Sequence, residues 1–447
     1  MFTDPRPLNP DRRIGPSVYA QFIRFLAPLI LAMVAQGLSA QFLNGGMARV
    51  PQAIETLAAF GLAHGLITVM SGPLHQSRQL GLAMIDNEGQ LRTGTRTVVV
   101  IGIALSLATA ILGLGGPGRW IVQDLHGIDS TLADQAQTAM LWLIPLPLVS
   151  GLIRYYSGLL AHARRTQIVS ASALVGIGVR IGSVFMLLPM AVVKGQPILL
   201  PVAVTLLGAV SEYLVLIWGH LRFSRPALPR TGPPVSVAAI LAFLWPLAVI
   251  MIFQGASRPL INLFVSRGAD ATQSLAVLTI VYALGHIHYG WVSEIRSLAP
   301  AFRDAAGSLY AIRRFVVACG AISFALAVLL FWTPIGQIIL LDLIGVEAGI
   351  ARLCSGPLVI YSFFPFAVTL RGYYHGVGLV NRITDVMAWS GPCRLVAIAT
   401  ALGVLSMTNL PGATVGIAAL LCGFTVEALT VSWGVRRRVA TLSQPAT

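Results

Sequence analysis

The sequence predicts an all-α polytopic membrane protein with twelve transmembrane helices arranged as two parallel-repeat six-helix bundles. Three observations carry this. Of 447 residues, 56% are hydrophobic and 10% charged, with a mean hydropathy of +0.80, whereas a soluble chain carries about a quarter charged residues. Apolar segments long enough to cross a bilayer, about 20 residues each, recur along the whole length. The second half also repeats the first at a nearly fixed offset.

In order, residues 1–17 are polar, Pro- and Arg-rich and read as a cytoplasmic tail. They lack a cleavable signal pattern, because the apolar run that follows is too long for an h-region. Candidate spans at 18–43, 55–85, 95–115, 131–162, 166–191 and 197–221 make an N-terminal bundle, 18–221. The basic, Pro-rich stretch 222–234 suits a cytoplasmic linker. Spans at 236–264, 272–303, 313–334, 347–378, 383–408 and 411–435 make the second bundle, 235–435, before a cytoplasmic tail, 436–447. Several exceed thirty residues, which predicts tilt, kinks or projection past the bilayer.

Loop charge sets the orientation. With the N-terminus inside, seventeen arginines fall in cytoplasmic pieces, against Arg49, Arg119, Lys194 and Arg267 on the other side. This positive-inside pattern predicts a multi-pass protein of the cell (inner) membrane with both termini cytoplasmic. The net charge of +14 is thus explained by topology, and nucleic acid is not expected as a partner.

A shift of 218 residues lays Phe25, Pro28, Gln36, Asn44 and Arg49 on Phe243, Pro246, Gln254, Asn262 and Arg267. It also lays Arg78 on Arg296, Tyr155-Tyr156 on Tyr373-Tyr374, Gly158 on Gly376 and Arg164 on Arg382. A shift of 215 lays Glu212 and Trp218 on Glu427 and Trp433. Six spans per copy is even, so both copies enter the membrane from the same side, as in transporters whose halves rock about a midplane site.

Arg24, Arg78, Arg154, Arg180, Arg258, Arg296, Arg371 and Arg394 lie within spans, whereas the clear intramembrane acids are Glu212, Glu294 and Glu427. Buried charge is costly, so water or an anionic ligand must balance the surplus. A guanidinium-lined chamber focuses anions and grips phosphate or carboxylate through two oxygens at once. Gln254, Arg258 and Asn262 recur every four residues on one helix face, beside Pro259, which favours a kink. His286, Tyr289, Ser293 and Arg296 form a polar stripe on the eighth span, within an arc of about 80°, and Arg371, Tyr374 and His375 share a face on the tenth. The expected anion-binding set is therefore Arg258, Asn262, His286, Tyr289, Arg296, Arg371 and Tyr374, with Asn44, Arg78 and Arg154 from the first half.

Plainer readings stand beside these. Arg24 lies close enough to the membrane edge to snorkel. Arg180 and Arg394 suit structural partnership with Glu212 and Glu427. Glu294, Glu212 and Glu427 are either proton-coupling groups or fixed ion pairs. The tyrosines also suit the membrane interface. Cys319, Cys354, Cys393 and Cys422 lack metal or redox spacing, and no metal or cofactor is expected. Gly115-Gly116-Pro117-Gly118 lacks the residues of a phosphate-binding loop and reads as a turn, and no enzyme signature is present.

Arg258-Pro259-Leu260-Ile261-Asn262-Leu263-Phe264-Val265-Ser266-Arg267, Tyr289-Gly290-Trp291, Glu294-Ile295-Arg296, Phe331-Trp332-Thr333-Pro334, Ile344-Gly345-Val346 and Ser362-Phe363-Phe364-Pro365 resemble the progressive ankylosis (ANKH-like) transporter family. Ile23-Arg24-Phe25-Leu26 and Ala59-Phe60-Gly61-Leu62-Ala63 fit as well. The resemblance implies a MATE-like fold of the multidrug/oligosaccharidyl-lipid/polysaccharide exporter superfamily. It also implies export or exchange of pyrophosphate, nucleoside triphosphate or citrate. The chain lacks the long acidic tail of the animal members and has shorter loops, so their partner-binding roles do not carry over. The expected partners are a small anionic substrate and the lipid bilayer, and the chain is expected to act as a monomer. Competing readings are a lipid-linked polyanion flippase of the same superfamily and a membrane enzyme acting on a phosphorylated lipid.

Overall fold

A computed structural model of the chain describes residues 16–124, 129–268, 270–303, 308–343 and 346–442. The Arg-rich start through Gly15, the Ile344-Gly345 pair and residues 443–447 lie outside them. Among the described residues every regular element is helical. Eleven helices are long and apolar enough to cross a membrane, or twelve when a bent pair counts as one span. The chain is an all-α multi-pass membrane protein.

The expected spans longer than thirty residues prove to be broken. The second is helical over Ala53–Met70, winds as a 3₁₀ turn over Gly72–Gln76 and resumes over Ser77–Ala83. The eighth does the same over Ala271–Gly290, Trp291–Ser297 and Leu298–Ala301. The fourth bends by 47° between Ser130–Trp142 and Leu146–His162. The tenth splits into Ala348–Tyr361 and Phe364–Val380. Pro73, Pro145 and Pro365 sit at three of these breaks, where a missing N–H donor and a fixed φ favour a fresh helix start. A carbonyl left over at such a break must find a partner at membrane depth. At the eighth-span break the His288 carbonyl accepts from Trp291 Nε1 at 2.8 Å and from Ser323 Oγ at 2.5 Å. By contrast, the seventh span is helical throughout Val237–Val265, so the kink expected at Pro259 does not interrupt it. Gly116–Arg119, expected as a turn, is a short helix.

The repeat is visible in the backbone. Arg164 and Arg382 both adopt φ 56°, in the left-handed region. Each closes a helix with the same six-residue hydrogen bond, Arg165 N to Leu160 O at 2.8 Å and Ile383 N to Gly378 O at 3.0 Å. Glycine usually takes this position, because a side chain there costs about 1–2 kcal/mol. Gly158 and Gly376 likewise face equivalent neighbours. A Cβ on Gly158 would lie 2.1 Å from the Arg78 carbonyl oxygen, and one on Gly376 would lie 3.0 Å from that of Arg296. In each half the broken span is thus pressed backbone to backbone against the helix two spans later.

By density of contacts the chain falls into two units. One is Ile23–Ala248; the other is Val249–Thr447 together with Met1–Phe22. The boundaries cut the first and seventh spans. The expected linker, 222–234, lies within the first unit and is fastened there. Glu88 N donates to the Pro229 carbonyl at 3.0 Å, while Asn87 Nδ2 and Gln90 Nε2 donate to the Pro233 carbonyl at 3.1 and 3.0 Å.

Gly158→Ala is expected to lower stability by about 1–3 kcal/mol, the usual cost of overpacking, and Gly376→Ala by less, because its neighbour stands farther off. Thermal unfolding of the purified variants in detergent measures both. Equal melting temperatures for the two would contradict the close approach at Gly158.

Candidate functional site

Each unit encloses a cluster of guanidinium groups around one carboxylate, and each is taken by itself. In the second unit the carboxylate is Glu427, on the last span, Gly412–Leu442, and it is fully buried. Arg371 Nη1 and Arg394 Nη1 both reach its Oε2, at 2.9 and 2.7 Å. Gln254 Nε2 donates to its Oε1, and Arg394 Nε donates to Ser257 Oγ at 2.9 Å. One turn before Glu427, Phe424 offers its ring to the same cations. The Arg394 guanidinium carbon lies 4.0 Å and that of Arg371 5.1 Å from the ring centre. Cation–π contact and charge-assisted hydrogen bonds together offset the desolvation of three charged groups.

Arg258 is placed differently. It is exposed on the seventh span and rests 4.7 Å over the Tyr282 ring. Tyr282 in turn donates to Asn262 Oδ1 at 3.4 Å. Among the described residues Arg258 forms no ion pair with a carboxylate. Tyr289 lies within electrostatic reach of Arg258, Arg371 and Arg394 together, and its ring stands 6.2 Å from that of Phe424. The second unit therefore holds two guanidinium groups on Glu427, with Arg258 within reach of the neighbouring Tyr289.

The expected stripe on the eighth span does not form as drawn. The α-helix ends at Gly290, and the 3₁₀ turn that follows advances about 120° per residue rather than 100°. Glu294 and Arg296 lie in that turn, half-buried, out of α-helical register with His286. His286 is exposed, whereas Tyr289 is buried in a stack with Tyr361 and Phe364. On the tenth span Arg371 and Tyr374 do share a face, but that face meets the last span. Arg371 holds Glu427 there, and Tyr374 accepts from Arg436.

In the first unit the equivalent place is a cavity of about 270 Å³, lined by Gln36, His64, His75, Arg154, Arg180 and Glu212 among others. Arg180 Nη2 lies 3.9 Å from Glu212 Oε2, a looser contact than its counterpart between Arg394 and Glu427. Smaller side chains at three repeat positions line the open space. Ser71 and Leu146 match Tyr289 and Phe364 under the shift of 218. Under the shift that lays Glu212 on Glu427, Phe424 matches Ala209, and Ala209 lines the cavity. The Phe424 ring of the second cluster is a methyl group in the first.

Of the expected first-half residues, only Arg154 enters the cavity. Arg78 is buried at the broken second span, and Asn44 is exposed near the end of the first, outside the cavity lining. Residue spacing did not single out His64, His75 or Gln36 as ligands. The repeat did carry a signal, since Gln36 matches Gln254 and His64 matches Tyr282, both members of the second unit's polar network.

The fold is that of solved MATE transporters. A MATE transporter in its bent conformation superposes with a TM-score of 0.75 at 16% identity, covering 95% of this chain and 96% of that one. A Vibrio cholerae MATE transporter gives 0.71 at 12% identity, over 95% and 98%. A Pyrococcus furiosus MOP-superfamily transporter, described as having a binding pocket of reversed polarity that suggests a different function, gives 0.69 at 14% identity, over 96% and 97%. The progressive ankylosis protein (ANKH) family matches residues 13–333, and the chain belongs to that family.

Glu427→Gln leaves Arg371 and Arg394 buried with no charge to balance them, and it is expected to cost about 3–5 kcal/mol. Glu212→Gln, acting on a looser pair beside a cavity, is expected to cost less. Unfolding temperatures in detergent rank the two, and a reversed order would contradict the tighter clasp at Glu427.

Proposed function

We propose that this protein is an alternating-access transporter that exports or exchanges polyvalent anions, among them pyrophosphate, nucleotides and citrate-like di- and tricarboxylates. The observation that carries the reading is the charge of the second unit's interior. Glu427 already serves Arg371 and Arg394, and Arg258 stands beside them, exposed, on an aromatic face. A drug-cation carrier needs the opposite sign. An anion with several oxygens satisfies an exposed guanidinium by a two-point grip, and a positive interior of low dielectric raises its local concentration. The Pyrococcus furiosus relative supports the reading by analogy, since its pocket polarity is described as reversed on the same fold.

In this reading the two clusters have different duties. Arg258, with Tyr282, Asn262, His286 and Tyr289 around it, forms the anion contact, while Glu427 holds its bundle together. Arg296, Arg371 and Tyr374 are then supporting groups, and Arg154 serves the first-half cavity. Glu212, facing Arg154, Arg180, His64 and His75 across that cavity, is the carboxylate placed to exchange a proton during the cycle. The arginine-rich loops support an inner-membrane protein with both termini cytoplasmic, and in this reading the chain works as a monomer.

The test is flux of labelled pyrophosphate, ATP and citrate in proteoliposomes, with and without a pH gradient. Arg258→Gln is expected to lower flux at least tenfold, the equivalent of about 1.4 kcal/mol, with the melting temperature unchanged. Ala209→Phe, which supplies the ring that the first cluster lacks, is expected to remove the dependence on pH gradient. Parental flux in the Arg258 variant would end the anion-site assignment. Phospholipid movement without soluble-anion flux would favour the flippase reading.

A further inference from the structure

Apart from the interior clusters, each unit carries a second basic pocket where the last helix of its repeat ends. In the first unit a pocket of about 330 Å³ is lined by Arg92, Arg96, Arg225, His220, Tyr156 and Leu221, with Glu88 at its rim 3.9 Å from Arg92. In the second unit a pocket of about 460 Å³ is lined by Arg436, Arg437, Trp433, Ser432, Leu429 and Leu370. The shift that lays Glu212 on Glu427 lays Ile217 and Leu221 of the first pocket on Ser432 and Arg436 of the second, while the arginines of the two pockets come from different repeat positions.

An apolar strip continues from each pocket along the helix. Leu214, Trp218 and Leu221 are 56%, 58% and 52% exposed on one face of the sixth span, and Leu429 and Trp433 are 55% and 64% exposed on the twelfth. Tryptophan marks the headgroup level of a bilayer, and arginines beside it reach outward to the polar layer. In the second pocket the arginines lie against ring faces, Arg437 5.3 Å over Trp433 and Arg436 4.9 Å over Tyr374.

We propose that each pocket holds an anionic phospholipid. Its phosphate sits on Arg92, Arg96 and Arg225 in the first unit and on Arg436 and Arg437 in the second, with acyl chains along the exposed strip. A soluble anion would use the guanidinium groups and leave the adjoining strip uncovered, whereas a phospholipid matches both parts. More than one arginine per pocket selects an anionic headgroup over a zwitterionic one. The sites lie at the ends of the sixth and twelfth spans, outside the proposed anion contact about Arg258, although Arg436 donates to Tyr374, and the readout below is binding rather than flux.

The test uses the purified full-length protein in detergent, with phosphatidylglycerol or phosphatidylcholine of the same chain length added. Thermal unfolding and native mass spectrometry are the readouts. Phosphatidylglycerol is expected to raise the melting temperature and to remain as two bound copies, and phosphatidylcholine is not. Arg92→Gln with Arg96→Gln, and separately Arg436→Gln with Arg437→Gln, are each expected to lose one copy, with affinity falling about fivefold per arginine removed. The matching Arg→Lys pairs keep the charge and are expected to retain binding, so loss confined to the glutamine variants reports the charge. If the glutamine variants do not fold, the lipid comparison on the parent and the lysine pairs decides. Equal retention of both lipids, or full phosphatidylglycerol binding by folded glutamine variants, would overturn the proposal. So would an equal stabilisation by inorganic phosphate alone, which would make the pockets soluble-anion sites.

Discussion

A carboxylate at membrane depth survives only if its charge is answered on the spot, and in the second unit much else follows from how Glu427 is answered. Water cannot solvate it there, and an isolated buried ion is prohibitively costly. Two guanidinium groups, an amide from Gln254 and the edge of an aromatic cluster surround it. Those partners come from the seventh, tenth and eleventh spans, so one acid on the twelfth ties four helices together. Such a clasp adds geometric specificity more than net stability, since hydrophobic packing alone could fill the same volume. Shared by two arginines, that carboxylate makes no ion pair with Arg258.

The first unit shows the same plan with smaller side chains. Gln36 and Glu212 stand at the repeat positions of Gln254 and Glu427, and Arg180 meets Glu212 as Arg394 meets Glu427. With Ser71, Leu146 and Ala209 where the second unit has Tyr289, Phe364 and Phe424, a cavity remains, and the arginine lies 3.9 Å from the acid. The duplicated halves thus differ in how side chains fill their interiors while sharing backbone features. Both keep the broken second span, the glycine contact beneath it and the arginine in left-handed conformation. A filled cluster suits a structural role and a hollow polar one suits exchange with solvent, and for this reason the two acids are assigned different duties.

Composition, span length and loop charge identify a helical membrane protein because the bilayer imposes these on any chain that crosses it, whatever its neighbours. The repeat was legible for a similar reason: residues that must sit in equivalent backbone environments, such as Gly158 and Gly376, are held at one offset. Local sequence therefore determined the number of spans, the duplication and the presence of a guanidinium surplus. Tertiary structure decided which arginines meet which acids. Spacing along one helix could not show that the eighth span unwinds after Gly290, that the face bearing Arg371 and Tyr374 meets the twelfth span, or that Ser71, Leu146 and Ala209 line a cavity where the second unit has Tyr289, Phe364 and Phe424. Each of these depends on side chains brought together from distant parts of the chain, and helical periodicity carries no information about distance across a bundle.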